Sequence, residues 1–168
     1  AHPGLSLEQK NAEIEADLTS FLARWGDRPG SLLTASYAAR DLKQPERQRQ
    51  IEDTILKAFN ESREAEWVLI GRLREFNSEE ASKSPEYRRL LREYVARPKH
   101  HHMGLLGETY RNLFFNLVGD PSVADEELLR VADGMTKYET TNIHISYVGA
   151  AIALADKKRH LDKAEEIA

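Results

Sequence analysis

Helical spacing of apolar residues runs through almost the whole chain and limits it more than any other feature. Met103, Leu106, Tyr110, Leu113, Phe114 and Leu117 recur at steps of three and four. Ile14, Leu18, Phe21, Leu22 and Trp25 do the same. A helix repeats every 3.6 residues, so each set forms one stripe that must be buried against another element. No segment combines period-two alternation, β-branched enrichment and a hairpin turn, so strands are not expected.

Start and stop signals divide the pattern into helices. Ser6 and Gln9 have capping-box spacing before a helix over 7–25, and Gly26 follows it. Gly26, Asp27, Arg28, Pro29 and Gly30 read as a loop. A second helix covers 31–42, with Leu32, Leu33, Tyr37 and several alanines. Pro45 suits the first position of a third, which carries Ile51, Ile55, Ala58 and Phe59 and ends near Asn60. A fourth holds Trp67, Leu69, Ile70, Leu73 and Phe76. Ser84, Pro85 and Glu86 supply an N-cap, a proline at the first turn and an acid at the positive helix end. The helix that follows ends before Pro98. The helix from Met103 stops at Gly119, and the next has Asp125, Glu126 and Glu127 in its first turns. An eighth carries Ile143, Tyr147, Ala150, Ala151 and Leu154, and a ninth begins after a turn over 156–160.

Linkers this short make neighbouring helices pack antiparallel. After the first helix, the others pair as 2/3, 4/5, 6/7 and 8/9. The first members start near Ser31, Glu64, Met103 and Thr140, which lie 33, 39 and 37 residues apart. Periods of this size mark stacked helical hairpins. The expectation is an all-α fold, one helical domain over 1–168, with a helix and loop over 5–30 and about four hairpins over 31–168. An irregular helical bundle is the alternative, because it needs the same apolar stripes.

The last hairpin resembles the tetratricopeptide-repeat family. Tyr147, Ala150, Ala151 and Leu154 fall where that family places aromatic, small and large residues on its first helix. Ala164 and Ala168 fall at small and packing positions of its second. Ala38, Ala39 and Gly71 are candidates for the small positions of earlier hairpins, which otherwise keep only the period. The turn between Leu154 and Ala164 is one residue longer than the family norm. The resemblance implies a superhelix of hairpins with a concave groove lined by first helices, and a protein or peptide in that groove.

Cysteine is absent, which excludes disulfides, thiolate catalysis and Cys-based zinc sites. It leaves the compartment open, since such a chain suits the cytosol and a periplasmic or secreted setting equally. A net charge of −4 argues against wholesale binding of a phosphate backbone. No apolar run approaches the ~20 residues of a membrane span. The start, Ala1-His2-Pro3-Gly4, suits either a terminus left by signal-peptide removal or an expression boundary. The end, Leu161 to Ala168, reads as a helix cut short, so the natural protein is expected to continue.

Sites of chemistry are sparse. His100, His101 and His102 are the residues on which a metal site would centre, but adjacent helical positions point about 100° apart and cannot converge on one ion. No metal and no cofactor is assigned. Asp156 and His160 are four apart across a turn, and His144 stands between two isoleucines with no nucleophile beside it. Asn60-Glu61-Ser62 fits the glycosylation sequon, a pattern frequent by chance. Arg88, Arg89, Arg92, Arg97 and Lys99, with Tyr87 and Tyr94, form a basic run that reads as a solvated helix face rather than a nucleic-acid surface. No phosphate-binding glycine loop or nucleophile elbow occurs.

The expected function is therefore a non-catalytic interaction or scaffold module. Groove residues would be Arg40, Arg72, Arg74, Arg111, Asn112, Asn116, Asn142 and His144, because arginine and asparagine suit carboxylates and peptide backbone. One alternative is a helical accessory domain of a larger secreted or periplasmic bacterial enzyme, such as a thioredoxin-like protein. Another is a histidine-dependent metal protein. A homodimer through the C-terminal helices is a further expectation.

Overall fold

The computed structural model describes residues 4, 6–139, 143–157 and 160–167, with 143–146 as backbone only. The described residues form α-helices, one short 3-10 turn and no strand, so the chain is all-helical. It divides into two compact units, 1–70 and 71–168.

The first unit holds α1 (Leu7–Trp25), α2 (Pro29–Asp41), α3 (Pro45–Ala58) and α4 (Arg63–Arg74) as far as Ile70. Ser6 and Gln9 form the expected capping box at the start of α1. At its end, Gly26 donates its N–H to the Leu22 carbonyl. The second helix begins two residues before the sequence expectation, because Pro29 takes the first helical turn, where its missing N–H costs nothing. α2 turns into α3 through Lys43, which has a left-handed φ of 59°. Lys43 donates to the Arg40 carbonyl and Gln44 to that of Ala39, both at 2.9 Å. This bond pair caps the helix and folds α3 back on α2. Leu18, Leu32, Ala35, Ala39, Ile51, Ile55, Ala65 and Val68 make the core.

In the second unit, a 3-10 turn (Ala81–Lys83) lies within the stretch read as a plain loop. Next come α5 (Pro85–Val95), α6 (Met103–Leu117), α7 (Asp125–Tyr138), α8 (Ile143–Asp156) and α9 (Leu161–Ile167). Ser84 accepts the Tyr87 N–H at 3.1 Å, the N-cap expected of it. The pairs α6/α7 and α8/α9 pack as hairpins, α5 packs on α6, and α6 touches α8. The expected α4/α5 hairpin falls across the division between the units, after Ile70. Leu91, Leu113, Phe114, Leu117, Leu128, Val131, Met135, Ala150 and Leu154 fill the centre.

Glycine sets the closest helix approach. A Cβ on Gly107 of α6 would lie 2.3 Å from the Tyr138 carbonyl oxygen, and one on Gly134 of α7 would meet the Tyr110 ring at 2.3 Å. Gly71, read as a small packing residue, has nothing within 4 Å of such a Cβ, so it is not a contact point. Ala150, Ala151 and Ala164 are buried, and the Tyr147 hydroxyl donates to the Thr136 carbonyl at 2.6 Å, tying α8 to α7.

Candidate docking face on α6 and α8

On α6, Leu106, Leu113, Phe114 and Leu117 point into the core. The opposite side of the same helix carries Glu108, Arg111, Asn112 and Phe115, at the i, i+3, i+4 and i+7 positions of one face. On α8, Ala150, Ala151 and Leu154 are buried, while Val148 and Ile152 sit four apart on the exposed side. Phe115 is 42% exposed, Val148 50% and Ile152 55%. The two helices meet where the Phe115 ring lies over Gly149, with its Cζ 3.3 Å from where a Cβ would stand. Phe114 holds the same ring edge-on, at 5.4 Å and 82°. The result is an exposed aromatic ring supported from below, beside two exposed aliphatic side chains.

Polar groups border this apolar strip. Arg111 is 21% exposed and pairs at 3.1 Å with Glu139, whose side chain is 1% exposed. Glu108 is 3.8 Å from Arg111 on the other side. The Asn112 Nδ2 lies 3.5 Å from the Tyr87 hydroxyl, and Asn116 Nδ2 donates to the Asn112 carbonyl at 2.9 Å. Burial pushes the Tyr87 hydroxyl pKa up, and the Asn112 contact opposes it. The two asparagine Oδ1 atoms have no hydrogen-bond partner among the described residues.

The groove residues expected from sequence are thus only partly gathered. Arg111, Asn112 and Asn116 share α6. Arg72 and Arg74 lie in the last turns of α4. Arg40 belongs to the first unit, over the Tyr37 ring and 3.3 Å from Asp41. Asn142 and the His144 side chain lie outside the described residues. Phe115, Val148 and Ile152 were not legible as site residues, because exposed apolar positions in a helix look like any others until the burial of their neighbours is known.

No known relative identifies this face. No protein-family model, no curated protein and no solved structure matches the chain.

Other candidate chemistry is already paired. Arg88 binds Asp120 at 2.5 Å, Arg92 binds Glu127 at 2.6 Å, and Arg89 binds Glu86 and Glu93 at 2.8 and 2.9 Å. Arg97 is buried. The basic run is therefore largely neutralised by carboxylates of its own unit. The His100 ring lies 5.3 Å from that of Tyr94, tilted by 49°, and no group of three or more potential metal ligands occurs among the described residues. His160 does not turn to Asp156 but lies 3.3 Å from Asp125 at the start of α7. An open cleft of about 310 Å³ there is lined by Leu129, Asp133, His160, Asp162, Lys163 and Glu166. Lys163 lines it and bonds to Asp133 and Glu166, which raise its pKa in that order. A second cleft, about 400 Å³, lies between Glu15, Gln44 and Arg47, where Arg47 pairs with Glu15 and Gln44 donates to it. No helix among the described residues is long and apolar enough to cross a membrane.

Proposed function

We propose that the protein is a non-catalytic interaction module of helical-hairpin type, akin to the tetratricopeptide repeats, whose second unit docks a protein partner on α6 and α8. One observation carries this reading. A supported aromatic ring, two aliphatic side chains and two carboxamides share one exposed face, while Arg88, Arg89 and Arg92 of the basic run are engaged in ion pairs. Interface hot spots have this make-up, with apolar anchors at the centre and polar groups at the rim.

A capture experiment tests the reading. The purified chain serves as bait, and bound proteins are identified by mass spectrometry against a bait of the same net charge. A partner that recurs, and then binds the purified chain directly with saturable affinity, is the expected result. Turnover of a substrate by the isolated chain, with no saturable partner, would sink it.

A further inference from the structure

We infer that the occupant of the α6–α8 face is an extended, non-acidic peptide segment of a partner protein. Its backbone lies along Asn112 and Asn116, and an apolar side chain sits against Phe115 and Ile152. The inference rests on the interaction-module reading and narrows it to one surface and one kind of ligand.

Three features select this occupant. The first is area. At the exposures given, Phe115, Val148 and Ile152 together offer roughly 250 Å² of apolar surface. A stable two-fold dimer needs about 800 Å² from each partner, about 450 Å² of it apolar, so a second copy of the chain finds too little here. One or two side chains of a linear segment are enough to cover it. The second is spacing. Asn112 and Asn116 are one helical turn apart, about 6 Å along the axis. Alternate residues of an extended chain are about 6.6 Å apart and point their N–H groups the same way. Two neighbouring carboxamide oxygens can therefore accept two alternate peptide N–H groups. A helical peptide has no such groups to give, because its own carbonyls take them. The third is charge. Arg111 is engaged by Glu139 and flanked by the half-exposed Glu108, so the strip offers no free cation to an acidic ligand.

The test starts from a displayed library of random twelve-residue peptides panned on the whole chain. The enriched sequence is then synthesised with a fluorophore for anisotropy titration. Sequences poor in acidic residues, with an aliphatic or aromatic anchor, should be enriched. Ile152→Ser should weaken binding about tenfold with unchanged thermal unfolding, and Asn112→Ala should weaken it about tenfold as well. Phe115→Ala should weaken it more, and Ile152→Ser serves alone if that variant does not fold. Methylating one backbone nitrogen that faces an asparagine should also cost about tenfold. Binding that tolerates every backbone methylation would overturn the extended pose, and indifference to Ile152→Ser would overturn the surface. A dimer in sedimentation that Ile152→Ser dissociates would show a second copy as the occupant. Failure to enrich any peptide would also refute the proposal. A captured partner that binds the Ile152→Ser chain as tightly as the natural one refutes this surface while the interaction-module reading stands.

Discussion

Replacing Gly107 with alanine puts a methyl group 2.3 Å from the Tyr138 carbonyl oxygen, 2.6 Å from its carbon and 2.7 Å from the Glu139 Cα. Non-bonded carbons prefer 3.5–4.0 Å. All three neighbours are backbone atoms, so no side chain can rotate out of the way, and α6 and the end of α7 must part by roughly 1 Å. Overpacking of this kind costs about 1–3 kcal/mol, and the rigid case belongs at the upper end. Moving Glu139 also disturbs its bond to Arg111 in a buried setting, which adds about 1 kcal/mol. Alanine returns about 1 kcal/mol through its helix propensity. The expected net loss is about 3 kcal/mol. For a unit of this size that lowers Tm by about 12–24 °C. Urea titration followed by circular dichroism measures it. Gly71→Ala is the control: with open space around it, the same substitution should raise stability by about 0.5–1 kcal/mol. If Gly107→Ala melts within 2 °C of the natural chain, α6 and α7 do not approach at Gly107 as described.

Arg111→Ala removes a charged partner from the nearly inaccessible Glu139 carboxylate and should cost about 2 kcal/mol, read by the same titration. Ser84→Ala deletes the hydroxyl that accepts the Tyr87 N–H and should cost about 1 kcal/mol, with a loss of helicity confined to α5 in hydrogen exchange. The Ser122 hydroxyl and then Arg88 hold the Asp120 carboxyl at about 2, below its ordinary value of 3.8. That stabilisation is present above the ordinary value and is lost as pH falls through about 2. Asp120→Asn should therefore flatten the acid limb of the stability curve between pH 4 and pH 2, as measured by unfolding at fixed temperature.

The helices were legible because their signals are local. Ser6 with Gln9, and Ser84 with Pro85, mark boundaries within a few residues of themselves, and α1 begins and ends where those signals put it. The 3-10 turn at Ala81–Lys83 was missed because three residues carry no periodicity. Long-range pairing was illegible for a different reason. Arg88, Arg92 and Arg111 find carboxylates 32, 35 and 28 residues away, and nothing in the spacing of charges tells which acid the fold will deliver. Gly107 and Gly71 are both helical glycines in the sequence, and only the neighbouring helix makes one essential and the other incidental.

The ion pairs between α5 and the later segments also bear on the order in which the chain is made. Between residues 71 and 119 there are nine lysines and arginines against six aspartates and glutamates. Asp120 and Glu127, which neutralise Arg88 and Arg92, come only afterwards. A ribosome therefore releases α5 and α6 as a cationic segment. For the interval before α7 emerges, that segment carries a positive excess that attracts polyanions. Docking of α7 sets Glu127 against Arg92 and weakens that attraction.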